Sequence, residues 1–317
     1  MDNVNDFFAT LSSYLWGWPM IVLLLGTHVF LSVRLRFPQR KLFTAIRLSV
    51  QRDKSQKGDV SQFGALATAL AATIGTGNII GVATAVALGG PGAVFWCWLT
   101  GVFGISTKYS EALLAIKYRV KSEKGHMLGG PMYTLERGLG WRKMGILFAV
   151  FTAIAAFGIG CTVQANAIST IMHASYGIST SVSGAVLMLL AAAVILGGVR
   201  SISKVCSMLV PFMALLYVLG CIYILCMNVV YVVPALKLIV NSAFSPEAAG
   251  GGLAGGSVIM AARYGIARGL FSNESGLGSA PIVAAAARTK NPVRQALVSS
   301  TGTFWDTVVI CALTGLV

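Results

Sequence analysis

The stretch Leu70–Val86, LAATIGTGNIIGVATAV, decides the fold. It carries no charge, yet three glycines, three threonines and an asparagine lie within it. A globular core helix disfavours Gly75 and Gly77, because each glycine costs about 1 kcal/mol relative to alanine in a helix interior. The segment reads instead as a membrane helix interrupted at a point where exposed backbone is wanted.

Composition supplies the surroundings. Hydrophobic residues make up 56% of the chain and charged residues 11%, with a mean hydropathy of +0.78, so the solvent of most of it is lipid. Apolar runs of the roughly 20 residues that cross a hydrocarbon core occupy residues 13–33, 63–88, 93–116, 144–172, 182–199, 206–230, 256–287 and 296–317. The fold class is therefore all-α, a polytopic membrane protein. Asp2 and Asp6 precede the first run where a cleaved signal peptide would carry basic residues, so this run is expected to be retained as a span.

The net charge of +14 raises the question of a nucleic-acid partner. Twenty of the 24 lysines and arginines lie in the connections after spans one, three, five and seven, whereas the opposite side holds Lys237 alone. By the positive-inside rule the basic connections are cytoplasmic. The expected localisation is the cell inner (plasma) membrane, multi-pass, with the N-terminus outside and no nucleic-acid role. The six cysteines sit inside apolar runs with no C-x-x-C spacing, which makes them packing residues, and His28, His126 and His173 are isolated.

Two connections have character of their own. PQRKLFTAIRLSVQRDK, Pro38–Lys54, places Leu42, Phe43, Ile46 and Val50 at helical spacing among basic residues and predicts a helix lying at the cytoplasmic interface. GGPMYTLERGLG, Gly129–Gly140, starts a short helix at its proline and stops it at its glycines. The last run ends at Val317 without a polar tail, and the expectation is that C-terminal spans are missing.

A second stretch, GLFSNESGLGSAPIVAAAA at Gly269–Ala287, matches the first in outline. Each places a glycine pair and polar residues inside an apolar run, Gly75 and Gly77 in span two, Gly276 and Gly278 in span seven. Five spans apart, the two run in opposite directions. Paired interruptions in inverted halves mark the binding site of a secondary transporter: amide ends suit a substrate carboxylate, and carbonyl ends suit a cation. The competing reading is close helix packing through small residues. A dinucleotide fingerprint fails, since Gly75, Gly77 and Gly81 give G-x-G-x-x-x-G within a membrane span.

Several long motifs carry a resemblance: GTGNIIGVATAVALGGPGAVFWCWL, KYSEALLAIKYR, GGPMYTLERGLG, VQANAIS and RGLFSNESGLGSAP. Together they resemble the alanine or glycine:cation symporters, over nearly the whole chain. The resemblance implies a LeuT-type inverted-repeat core preceded by one extra N-terminal helix, with the last three core helices absent. Within one transmembrane domain, residues 1–317, it makes 13–33 the extra span, 63–230 the first five-helix repeat and 256–317 the start of the second. It further implies Na⁺ as coupling ion, no organic cofactor, and a small neutral amino acid as substrate in a lipid bilayer.

Carried over by position, the resemblance assigns the substrate carboxylate to Thr76 and Gly77 and the sodium carbonyls to Ala71 and Ile74, an incomplete set. Asn273, Ser275 and Gly276 of the facing break are further expected substrate-binding residues, and Asn78 and Glu274 are possible ones. In span four Gln164 is favoured over Asn166 because a side-chain amide meets both ends of a zwitterion. Glu274 reads equally as a proton- or ammonium-binding group and as an ion-pair partner of Arg268 or Arg263. Lys108 and Glu111, three residues apart, read as a structural pair.

The leading function is inward symport of alanine or glycine with Na⁺ by alternating access. The alternatives are a channel, which would need polar rings or a continuous polar helix face, and a non-transporting fragment of the symporter. An intramembrane enzyme would need a nucleophile with a base, or a metal cluster, and no such set lies within the spans.

Overall fold

A computed structural model describes residues 2–51, 58–244 and 258–317. Arg52 and Lys54 of the expected interfacial segment, and residues 256–257 of span seven, lie outside the described residues. The first helices, α1 (Asp2–Leu15) and α2 (Trp18–Arg34), form span one, with Pro19 in the first turn of α2, where its missing N–H costs nothing. Next, α3 (Leu42–Val50) forms a helix over the expected segment, buries Ala45 and Ser49 on one face and leaves Phe43 85% exposed on another.

Span two is α4 (Gln62–Thr73) and α5 (Val82–Gly89), joined through a break and a π-helical turn at Gly77–Gly81 and bent by 51°. Span three is α6 (Gly92–Lys117). A two-stranded antiparallel hairpin, β1 (Val120–Lys121) and β2 (Met127–Leu128), leads into α7 (Pro131–Leu139), which begins at its proline and stops at Gly140 in the left-handed conformation. Span four is α8 (Arg142–Ala155) and α9 (Val163–Tyr176) through a π-helical segment. The remaining helices are α10 (Thr180–Ile195), α11 (Gly198–Met227), α12 (Val229–Phe244), α13 (Val258–Asn273), α14 (Ala280–Ala285), α15 (Pro292–Thr303) and α16 (Ala312–Leu316).

Every expected run contains a helix, but they do not all cross alike. Four helices, Asp6–Arg34, Arg142–Tyr176, Gly198–Met227 and Pro292–Leu316, are long and apolar enough by themselves, and the bent α4–α5 pair makes a fifth. The others fall short for identifiable reasons. Helix α6 has 26 residues but carries Lys108, Glu111 and Lys117; α10 has only 16; and span seven is divided between α13 and α14. Helix α12 was not anticipated, because Pro234 and Lys237 interrupt its apolar run and it follows α11 after Asn228 alone.

The interior is built around α6, with α13 and α15 laid along it. Gly265 and Gly269, one turn apart on α13, permit the approach: a Cβ added at Gly265 would lie 2.8 Å from Trp96 Cβ, and one at Gly269 3.0 Å from the Cys97 carbonyl. Leu66, Leu70 and Ile74 of span two pack with Val210, Val298 and Ile310, while Ile21 and Leu24 of span one pack on Ala262, Ile266 and Leu270. By contrast Arg142–Tyr176 turns most of its surface outward, where Phe151, Ile154 and Phe157 are suited to lipid.

The two interrupted spans are also sewn together at one end. Val60, just before α4, and Ala287, just after α14, form a parallel β-bridge. The Asp59 amide donates to the Ala286 carbonyl at 2.8 Å, and the Arg288 amide to the Val60 carbonyl at 2.8 Å. Gly58 faces this seam at φ +144°, and a Cβ there would stand 2.6 Å from the Ala287 carbonyl carbon.

Candidate functional site

In span two the helix stops at Thr73 and resumes after Ile74 and Gly75. The Gly75 amide, which would otherwise serve the Ala71 carbonyl one turn back, bonds instead to Asn78 Oδ1 at 2.8 Å. That leaves the carbonyl end of α4 without one of its donors, while the amides of Thr76 and Gly77 begin a new helical segment and lack intrahelical partners. A Cβ placed on Gly77 meets nothing within 4 Å, so there is open space beside the backbone at Gly77. Thr76 Oγ1 donates to Gln164 Oε1 of α9 at 2.7 Å, which brings two of the expected substrate-binding residues together. Asn166 is exposed on the same helix.

In span seven α13 ends at Asn273, and Glu274, Gly276 and Gly278 all take positive φ, at 53°, 92° and 83°. Glycine adopts this region without steric cost, which is why the pair occurs here. The Ser275 amide bonds to Asn273 Oδ1 at 2.9 Å, and its fully buried hydroxyl meets Thr303 Oγ1 at 3.0 Å. Gly276 faces span one, with Leu24 Cδ2 2.9 Å and His28 Cε1 3.8 Å from where its Cβ would be. His28 itself is bonded through Nδ1 to Thr107 Oγ1 at 2.7 Å. Ser275 and Gly276 thus look toward α15 and α2, away from Thr76 and Gly77.

Asn78 joins the break of span two to the last turn of α13. It is 1% exposed, and its Nδ2 donates to Ser272 Oγ at 3.1 Å and to Asp306 Oδ1 at 2.7 Å. Asp306, on the π-helical segment Phe304–Cys311 of the last span, is fully buried. Its Oδ2 accepts from Ser272 Oγ at 2.9 Å and from Thr307 Oγ1 at 2.7 Å. Among the described residues no ion pair involves this carboxylate. The hydrogen bonds to this carboxylate all come from neutral donors, while the buried Lys108 ammonium acts on it electrostatically from further off, which makes the cluster a candidate site for a cation or a proton. Sequence reasoning missed Asp306, although an aspartate in the middle of the apolar run 296–317 was a visible signal.

Two expected ion pairs do not form among the described residues. Glu274 accepts from Ser279 Oγ rather than pairing with Arg268 or Arg263, and Arg263 donates to the Ser13 carbonyl at 3.2 Å. Lys108 and Glu111 do not pair with each other either. Lys108 Nζ donates to the Asn273 carbonyl at 2.8 Å, and Glu111 Oε1 accepts from the Gly278 amide at 3.1 Å. Backbone ends at the break recruit these charges because they have no other partners.

A profile of the sodium:alanine symporter family matches residues 1–317. That match runs from one end of the chain to the other and lends no support to the expected C-terminal shortening. The chain is 54% identical over 315 residues to the sodium/alanine symporter AgcS of Methanococcus maripaludis, covering 97% of this chain and 69% of that protein. It is 52% identical over 317 residues to an uncharacterised transporter of Haemophilus influenzae, covering 99% and 70%. With the amino-acid carrier protein AlsT of Bacillus subtilis it shares 34% identity over 319 residues, covering 99% and 67%. All three are transporters or carriers.

Proposed function

The chain belongs to the sodium:alanine symporter family, and from that premise we propose that it imports alanine or glycine together with Na⁺ by alternating access. The observation that carries the reading is the junction at Asn78. One side chain replaces a missing backbone bond in span two and reaches Ser272, in the last turn of α13 just before the break of span seven, and the carboxylate of Asp306. Such a joint lets an ion and a substrate bound at the breaks act on both spans at once.

The substrate carboxylate goes to the free amides of Thr76 and Gly77, where a helix start favours negative charge. Gln164, already bonded to Thr76, stands beside it to meet the rest of the zwitterion. The Ala71 and Ile74 carbonyls remain candidate sodium ligands, and the Asp306 cluster is a second oxygen set that supplies the charge those carbonyls lack. The LeuT-type arrangement, with an extra first span and inverted repeats beginning at residues 63 and 256, is part of the same proposal. So is placement in the cell inner membrane with the N-terminus outside, supported by the distribution of basic residues.

Uptake of radiolabelled alanine into proteoliposomes tests this, with Na⁺, Li⁺ or K⁺ outside. Saturable uptake that requires Na⁺ is the expected result, and Gly77→Val should abolish it in a protein that still inserts, by filling the space beside the backbone at Gly77. Non-saturable flux, or uptake indifferent to the cation, would point to a channel and end the symport reading. A Gly77→Val protein with unchanged affinity would remove that glycine from the site.

A further inference from the structure

Along α6 and just beyond its end lie three charged residues that meet span seven in order. Lys108, 3% exposed, donates to the carbonyl of Asn273, the last residue of α13. Three residues on, Glu111 accepts from the amide of Gly278, two residues before α14 begins. Arg119 then donates to the carbonyls of Ala285 and Ala287, each at 2.8 Å, and to that of Thr289 at 2.6 Å, where α14 ends. The signs run positive, negative, positive, and the backbone ends they meet run carbonyl, amide, carbonyl. Each charge has the sign its backbone end requires.

We propose that Lys108, Glu111 and Arg119 are positioning residues that set the shape of the break in span seven. A stretch with three positive φ angles and few regular backbone bonds has no means of holding one conformation by itself. Here α6 holds it from outside, at both edges of the gap and at the far end of α14. This assignment rests on the symport reading only in treating the break as a wall of the transport site. It also divides the labour between the breaks. The amide side of the span-seven gap already has a resident carboxylate, so an incoming substrate carboxylate is directed to span two, which has open space beside the backbone at Gly77. Glu111 Oε2 and Asn273 Nδ2 are buried without protein partners, so room for polar rearrangement remains at the clamp when the break changes shape.

Hydrogen–deuterium exchange on the full chain in detergent tests the clamp, read beside alanine uptake. In the unaltered protein the Gly278 amide should exchange at least about tenfold more slowly than in an unstructured peptide. Glu111→Met and Lys108→Met should each speed exchange in the 274–281 peptide about fivefold or more while leaving the 62–73 peptide unchanged. Glu111→Gln, which keeps an acceptor, and Lys108→Arg, which keeps a charged donor, should restore most of the protection. An unprotected Gly278 amide in the unaltered protein overturns the proposal even if the methionine variants fail to fold. Acceleration spread equally over 62–73, or no rescue by the conservative variants, overturns it as well. If the unaltered protein takes up no alanine, the symport reading falls alone, and exchange still decides the clamp.

Discussion

At the scale of single residues, Asp306 bears the largest consequence. Its carboxylate is fully buried and satisfied by three neutral side chains, so replacing it with asparagine removes a charge while keeping the shape and an acceptor. Asp306→Asn is therefore expected to fold and to raise the Na⁺ concentration for half-maximal alanine uptake at least tenfold, a loss of about 1.4 kcal/mol in ion affinity. Unchanged sodium dependence in a correctly inserted protein would take Asp306 out of the coupling machinery. The aspartate itself stood out in its apolar run, but its partners were illegible because the bond from Asn78 spans 228 residues of chain. Gln164 was easier to find, since a side-chain amide in an apolar helix has few reasons to be there.

At the scale of elements, the contact of α13 with α6 depends on Gly265 and Gly269. A side chain at Gly265 would push against the Ala93 backbone and Trp96, and neither is the free end of a flexible side chain. Gly265→Val should therefore force α13 away from α6, costing about 1–3 kcal/mol as overpacking does, and lower the thermal midpoint of the purified protein. An equally heat-stable variant would show that the helices can part without penalty. The breaks and helices α7 and α3 were legible in advance, because glycine, proline and charge placed inside apolar runs are local signals. Helix α12 and the charges of α6 were not. Pro234 hid the first, and for the second a local i,i+3 spacing suggested a partner that tertiary contacts with span seven replaced.

At the scale of the whole molecule, the proposed orientation of the spans rests on the distribution of positive charge. In a background without native cysteines, a thiol introduced at Lys124 in the β-hairpin should react with a membrane-impermeant reagent only from the cytoplasmic face. One introduced at Ser179, between α9 and α10, should react only from outside. The reverse pattern would invert the proposed topology and with it the direction of each broken span. The seam between Val60 and Ala287 belongs to the same scale, and it has a consequence for how such a chain can diverge. Its bonds join backbone to backbone, but Asp59, Val60, Ala286 and Ala287 are all buried there, so it absorbs only side chains of similar size, and none at Gly58. What it cannot absorb is a change in length. One residue gained or lost between the seam and either break would shift that break along its axis relative to the other, so insertions and deletions are tolerated only outside these two short intervals.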